Sequence, residues 1–441
     1  MDRDFARVIH SPSFRRLQGK TQLFPAHESD FFRNRLTHSL EVAQIAESIA
    51  RNLNATDPYL RENEINPRIC YTAALLHDIG HPPFGHNGED ALDEMMMATG
   101  GFEGNAQTLR IVSQLEKKVV KSTGGSAIER RCGLNLTYRQ LASVLKYDNP
   151  IPVNRKHRDG AIKGYYHEDS PVVRDIKRAV LGDERMPDGK FKTIECAIMD
   201  LADDIAYSTY DLEDSFKAGF LSPYKVLISP SAIFERVAKK VEKETEHPFS
   251  DVNAFDVFME MFRGYVDDER YEEDENLEDA YSAAKLANAV FMTKEIDVVA
   301  EDGRIRTEFT SGLVGEFVDS VTFVLNERFP SQSNISVPLH VRQKIETLKR
   351  FTYEATIRSS RLRLAEYRGH DIVKGIFRAL VGKGGDALLP DDQLELWECA
   401  TDDNQRNRVV CDFIAGMTDR YAMEFYGRLY SDNPVSMFKS P

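Results

Sequence analysis

The run Leu75–Glu89 (LLHDIGHPPFGHNGE) constrains this chain more than any other stretch. Between His77 and Glu89 it places three histidines and two carboxylates within thirteen residues, directly after an apolar helical segment. A buried core does not tolerate that density, because each polar group is costly to desolvate without a partner. The groups must converge on something that neutralises them, and a metal ion beside a general acid/base fits that requirement. Gly80, Pro82 and Pro83 end the helix. Adjacent His77 and Asp78 can both reach one cation at such an end. The turn that follows brings His81, His86 and Glu89 back over the same spot.

Elsewhere the apolar residues recur with a helical period. Leu40, Val42, Ile45, Ala46 and Ile49 mark one helix over 36–53. Similar patterns predict helices over 68–77, 105–120, 137–146, 171–181, 193–218, 230–243, 252–263, 281–294, 311–328, 340–368, 369–382 and 405–430. Strand signals are few. The best is Ile296–Ala300, a turn at Glu301-Asp302-Gly303, then Arg304–Phe309, which predicts a β-hairpin. The expected class is all-α with a small β-hairpin insertion. The expected division is a catalytic core over 1–235 and a helical C-terminal region over 236–441, forming one continuous body. Asp267–Asp279 is a charge run that reads as a solvated face or loop. Asp148–Pro171 reads as a long polar loop.

Charge and cysteine usage narrow the setting. The 441 residues carry a net charge of −14, which argues against general nucleic-acid coating but leaves room for a local basic groove. No apolar run approaches the roughly 18 residues of a membrane span, and the N-terminus has no signal-like character. The five cysteines are scattered, never in CxxC spacing, and read as reduced core residues. These features predict a cytoplasmic protein without membrane contact.

His38 lies four residues before Val42 and seven before Ile45, on the buried face of its helix. By itself it reads as a hydrogen-bonded core histidine; with His77 and Asp78 downstream it reads as a metal ligand. Asp203, Tyr207 and Asp211 are spaced i, i+4, i+8 and line one helix face. An Asp among Ile198, Leu201, Ala202 and Ile205 should not be buried without a cation; the competing reading is a solvated acidic stripe with Asp200 and Asp204. His38, His77, Asp78 and Asp203 supply two imidazoles and two carboxylates. That mix suits Mg2+ or Mn2+, and also Fe2+ or Ni2+, with open water positions.

The order H…HD…D, with its GHPPFGH extension, resembles the HD-domain metal phosphohydrolases. Within them it is similar to the deoxynucleoside triphosphate triphosphohydrolases, the dGTPase group. Further blocks carry the resemblance: Ser13–Gln22 (SFRRLQGKTQ), Asn34–Ser39 (NRLTHS), Phe102–Gln107 (FEGNAQ), Leu145-Lys146-Tyr147, Ala202–Ile205 (ADDI) and Gly416–Asp419 (GMTD). They run from the N-terminus to about residue 420, and as an ordered set they are far more specific than the HD pair.

The resemblance implies metal ligation by His38, His77, Asp78 and Asp203, and catalysis by His86 with Glu89 as its partner. The local sequence agrees: His86 and Glu89 stand one helical turn apart if a helix starts near Phe84, so the carboxylate can fix the imidazole tautomer. The bland reading of His86 is a helix-start residue with no chemistry. His81 is implied to hold a phosphate oxygen or to help move a proton. Asn105, Lys146, Tyr147, Lys163 and Asp211 fall where the family contacts the triphosphate or its metal, with Arg35 and Tyr207 also placed there. Gln18 falls near the sugar and base, where a close fit would leave no room for a 2′-hydroxyl. One departure stands out: some relatives place a histidine just before the FEGN block, whereas this chain has Gly101.

The implied reaction is metal-dependent attack on the α-phosphorus of a dNTP, releasing deoxynucleoside and intact triphosphate, in control of the dNTP pool. The family also forms homo-oligomers, often hexamers, and couples activity to a regulatory dNTP or to single-stranded DNA. Three rivals use similar residues. An HD-type nucleotide phosphodiesterase would share the metal site but lack the arginine-rich N-terminal block. A (p)ppGpp hydrolase would carry a Glu-Asp pair where Gly80-His81 stands. A non-catalytic nucleotide- or single-strand DNA-binding regulatory protein would use the basic loop Arg155, Lys156, His157 and Arg158.

Overall fold

The computed structural model describes residues 1–23, 32–120, 131–153, 162–182, 191–263, 296–356 and 360–431. In chain order its helices are α1 (Asp2–Ile9), α2 (Pro12–Arg16), α3 (Arg35–Thr56), α4 (Pro67–Leu76), α5 (His86–Met96), α6 (Gly104–Arg110), α7 (Tyr138–Ala142), α8 (Ser170–Leu181) and α9 (Ile194–Lys217). There follow α10 (Pro223–Leu227), α11 (Ser231–Thr245), α12 (Asp251–Arg263), α13 (Val298–Glu301), α14 (Gly303–Asp319) and α15 (Leu339–Thr356). The last are α16 (Ser360–Val381), α17 (Asp391–Glu398), α18 (Asp403–Ala415) and α19 (Asp419–Tyr430). Strands β1 (Thr322–Val324) and β2 (Asn334–Ser336) form a two-stranded antiparallel sheet, with Phe323 opposite Ile335. The class is therefore all-α with a small hairpin, as the periodicity predicts.

The chain folds as two compact units. The first holds 1–203, 322–336 and 364–441; the second holds 204–321 and 337–363. Helices α9 and α16 each run from one unit into the other.

In the first unit, local chemistry sets the starts of α3 and α4. The Asn34 side chain accepts from the Leu36 and Thr37 amides, while the Asn34 N–H donates to Thr37 Oγ1, a reciprocal cap. Asn66 caps α4, and Pro67 fills its first turn, where no amide is needed. The two helices pack together, burying Val42, Ile45, Ile49 and Leu53 with Ile69, Ala73 and Leu76. Each such large aliphatic side chain contributes about 1.5–3 kcal/mol of transfer free energy. A second apolar cluster joins Leu92 and Met96 of α5, Ile376 and Phe377 of α16, Val410 and Ile414 of α18, and Phe425 of α19. Trp397 of α17 packs at its edge under the Arg406 guanidinium, 4.8 Å from the ring centroid.

The second unit has an aromatic core. Phe351 of α15 lies 5.3 Å from Phe234 and 4.7 Å from Phe258, centroid to centroid. On the same helix Glu346 is fully buried and accepts from Lys349 and Arg350. Lys349 and Arg342 also bind the Asp204 carboxylate, so these buried charges are paired.

Several sequence expectations change. The hairpin expected over 296–309 is helical. Asp302 is not a turn residue there but an N-cap, accepting from the Arg304 and Ile305 amides and starting α14. The true hairpin sits at 322–336, and its first strand interrupts the helix expected over 311–328. The helix expected over 105–120 is α6 followed by a π-turn at Ile111–Leu115. The helix expected over 405–430 is α18 and α19, broken where Thr418 caps α19. Cys399 is exposed and Cys132 half-buried, so only Cys70, Cys196 and Cys411 are the expected core thiols. The charge run 267–279, the helix expected over 281–294 and the basic loop 155–158 lie outside the described residues. The flanks of that loop meet in a bridge between Pro150 and Tyr165. Among the described residues no helix is long and apolar enough to cross a membrane.

Candidate functional site

Three helices and one turn of the first unit bring four side chains together. His38 projects from the first turn of α3, and His77 and Asp78 stand where α4 ends. Asp203 comes from α9. His38 Nε2 lies 3.2 Å from Asp203 Oδ1, and His77 Nε2 lies 3.4 Å from the same oxygen. His77 Nε2 is also 3.5 Å from Asp78 Oδ1. The α4 backbone fixes the His77 tautomer: its Nδ1 is 2.6 Å from the Ala74 carbonyl, which leaves Nε2 facing the two carboxylates.

These residues fit a cation. His38, His77 and Asp78 are all buried, and each offers a ligand atom within 4.8 Å of the others. Among the described residues, buried His77 Nε2 and His38 Nδ1 have no well-formed hydrogen bond. The electrostatics agree. Burial alone would raise the Asp203 carboxyl, yet the His77 charge and the bond with His38 hold it well below its usual range. Burial alone would lower His77, but Asp78 and Asp203 outweigh it and carry the imidazole up to about 9. A proton on His77 stands where a divalent ion would neutralise the same carboxylates. Arg35, buried beside them, donates from Nη1 to Asp78 Oδ2 at 2.6 Å. Burial opposes the charged form of Asp78; Arg35, His81 and His77 together hold that carboxyl well below normal.

A second group lies along the following turn. His81 Nδ1 is 2.9 Å from Asp78 Oδ1, and its ring centroid is 5.7 Å from that of His86. Burial and the Arg35 charge pull His81 down, against Asp78. His86 opens α5 after Gly85 and keeps 73% of its side chain exposed, whereas Glu89 keeps 14%. His86 Nδ1 is 3.1 Å from Glu89 Oε2, and Glu89 Oε1 accepts from the Gly104 amide at 2.7 Å. Burial would raise Glu89, but its bond with His86 and the nearby histidines take it down to about 2. His81, His86 and Glu89 also bring their ligand atoms within 4.8 Å of one another.

Two glycines let these groups meet. A Cβ at Gly80 would lie 2.1 Å from the Gly104 carbonyl oxygen, so the turn after Asp78 and the start of α6 touch backbone to backbone. The Gly80 amide donates to Thr108 Oγ1, which also donates to the His77 carbonyl.

The remaining sequence candidates fall in both units. Lys146 pairs with Asp200 at 2.5 Å; burial opposes its charge, but Asp200 and Asp203 hold it well above normal. Tyr147 receives a hydrogen bond from Lys163 Nζ at 3.1 Å. Asn105 donates to Glu103 Oε1 at 2.6 Å. Gln18 is exposed on the turn Leu17–Gly19. Tyr207 and Asp211 continue along α9 within the second unit. Four residues without an expected role also enter: Asp200, Glu103, Lys20 and Asp419. Glu103 caps α6 through the Ala106 amide. Lys20, Glu103 and Asp419 stand inside the SFRRLQGKTQ, FEGNAQ and GMTD blocks, which is their one signal in the sequence.

Comparison with known proteins gives the family. Residues 35–208 match the HD domain, and residues 335–428 match the phosphohydrolase-associated domain. The chain is 49% identical, over 99% of its length and 94% of the relative's, to deoxyguanosinetriphosphate triphosphohydrolase-like protein 2 of Mesorhizobium japonicum. It is 32% identical to a deoxyguanosinetriphosphate triphosphohydrolase-like protein of Aliivibrio fischeri, over 97% of this chain and 92% of that one. A protein of the same name from Shewanella loihica is also 32% identical, over 99% and 93%. The HD domain and these names support a nucleotide hydrolase. The chain belongs to the deoxyguanosinetriphosphate triphosphohydrolase-like family of HD-domain proteins.

Proposed function

We propose that this protein hydrolyses dGTP or several dNTPs at the α-phosphorus, releasing deoxynucleoside and intact inorganic triphosphate and so acting on the dNTP pool. One observation carries the reading. Buried His38, His77 and Asp78, with the partly exposed Asp203 beside them, stand in the same unit as an exposed imidazole whose far nitrogen is held by a largely buried carboxylate.

His38, His77, Asp78 and Asp203 are the proposed ligands of a divalent ion, Mg2+ or Mn2+, with Fe2+ or Ni2+ also compatible. Such an ion, when bound, polarises a phosphoryl oxygen and makes water more acidic. The chain's own groups do the rest. Glu89 holds the His86 Nδ1 proton and leaves Nε2 as the atom where a proton is taken from water or given to the departing 5′ oxygen. Because Glu89 is itself tied to the Gly104 amide, the imidazole is oriented before substrate arrives. His81 stands beside both groups as a phosphate contact or second proton carrier. Lys146 and Lys163 offer charge to the triphosphate, with Arg35, Asn105, Tyr147 and Asp211 as further contacts. A tetra-anionic tail competes with Asp200 for Lys146. Gln18 is assigned to the sugar and base side, and Tyr207 to the triphosphate or its metal. We extend the reading to a homo-oligomer regulated by a dNTP or by single-stranded DNA.

Product analysis tests this. Purified protein with Mg2+ or Mn2+ is given each dNTP alone, all four together, and GTP, with and without single-stranded DNA. Deoxynucleoside plus triphosphate, lost in His86→Ala and Asp203→Ala, is the expected outcome. Turnover confined to the mixture identifies an activating nucleotide. Monophosphate plus pyrophosphate, or no turnover with any metal, overturns the reading in favour of a phosphodiesterase or a binding protein.

A further inference from the structure

The turn that carries His81 and leads into His86 is strained. Phe84 is a non-glycine residue at φ 65°, and Gly85 follows at φ 59° and ψ −133°, a conformation open to glycine. Nothing in its own sequence makes Phe84 prefer that backbone, so contacts from elsewhere must hold it. Two come from residues far away in the chain. Asp419, buried at the start of α19, accepts from the Phe84 amide through Oδ1 at 2.9 Å. Its Oδ2 accepts from the Thr21 amide at 2.9 Å and the Thr21 hydroxyl at 2.5 Å. Next to Thr21, buried Lys20 donates from Nζ to the His81 carbonyl at 2.5 Å and to the Ala415 carbonyl at 2.9 Å. The turn is thus pinned at both ends, His81 by the Lys20 amine and Phe84 by the Asp419 carboxylate.

Close packing completes the joint. A Cβ at Gly19 would lie 2.8 Å from Thr418, and one at Gly369 would lie 2.8 Å from the Phe84 Cβ. Both contacts demand bare backbone, one beside Lys20 and one beside Phe84. Segments 19–21, 81–85 and 415–419 therefore lock as one piece.

We propose that Asp419, with Lys20, is a positioning residue that holds the Phe84–Gly85 turn and through it the imidazole of His86. This rests on the assignment of His86 to proton transfer, but it concerns residues that touch neither substrate nor metal ligands' side chains.

The test compares Asp419→Asn and Asp419→Ala with wild type by hydrogen exchange of peptides over 80–88, by metal content, and by kcat and KM separately. Asn keeps the volume and one acceptor oxygen whereas Ala removes both, and far-ultraviolet circular dichroism checks that each variant is folded. The expected result is exchange of the turn about tenfold faster, the size of one lost hydrogen bond. With it, kcat falls about ten- to hundredfold while KM and metal content hold, as for a slightly misplaced catalytic group. Unchanged exchange over 80–88 overturns the clamp. Faster exchange with unchanged kcat overturns its link to His86, and so does a loss of kcat matched by loss of metal. If wild type turns over no dNTP, the triphosphohydrolase reading falls, and exchange alone then decides whether the clamp exists.

Discussion

The two histidine clusters of the first unit are built in opposite ways. In the first, His38, His77 and Asp78 are sunk among helices with Asp203 at their edge, and two buried ring nitrogens, His38 Nδ1 and His77 Nε2, have no good hydrogen bond. In the second, the carboxylate is sunk and well bonded, while the imidazole of His86 stands mostly in solvent. Burying a polar atom without a partner is costly, so the first arrangement makes sense around a cation. Exposing an imidazole costs little and gives it access to a substrate proton. The contrast predicts that damage to the first cluster removes metal and chemistry together, whereas damage to the second removes chemistry alone.

Four substitutions break or sharpen that contrast. Asp203→Ala should empty the site, with metal analysis reading near zero and turnover down about a thousandfold or more, since the ion supplies several kcal/mol. Full metal retention in that variant would sink the ligand assignment. His86→Ala should keep its metal and its melting temperature, because an exposed side chain contributes within about 0.5 kcal/mol to stability, yet lose about 10²–10⁴ in kcat. Gly80→Ala attacks both clusters at once, because the added methyl meets the Gly104 carbonyl. We expect a loss of about 2 kcal/mol in denaturant unfolding with metal and kcat both reduced; a silent variant would show that the two backbones need not touch.

The smallest effect concerns pH. Burial raises Glu103 from 4.5 to about 7, against the bonds from Asn105 and Ala106. Between those values the folded protein holds a proton that the unfolded chain releases. Its contribution to stability is therefore full below about 4.5 and is lost as pH rises through about 7. Glu103→Gln keeps a neutral side chain at every pH. Its melting temperature, relative to wild type, should climb between pH 5 and 8; parallel curves would show that Glu103 is ionised throughout.

Local patterns made much of this legible. The α3, α4 and α9 helices follow from apolar spacing; His38 stands out on a predicted buried face, Asp203 among apolar neighbours, and His77 and Asp78 at the end of an apolar helix. The misplaced hairpin shows the limit of local reading. Val298 and Val299 look like strand residues until Asp302 is seen to cap a helix, and the cap depends on side-chain direction, which spacing does not encode. The Lys20–Asp419 joint was illegible for another reason. Its bonds cross 395 and 398 residues, and neither side chain has a periodic neighbour that marks it. Arg35 falls between these cases: its motif was visible, but its bond to Asp78 needed the fold.

The position of Trp397 has a practical consequence. It is the sole tryptophan of the chain, and it lies against the α5–α16–α18–α19 cluster of the first unit. The phenylalanine core of the second unit has no comparable emitter. Red-shifting tryptophan fluorescence during denaturation therefore watches one unit, while far-ultraviolet circular dichroism watches the helices of both. Coincident transitions would mean that the two units melt as a single cooperative body, and a fluorescence change out of step with the helical signal would resolve their stabilities without any mutation.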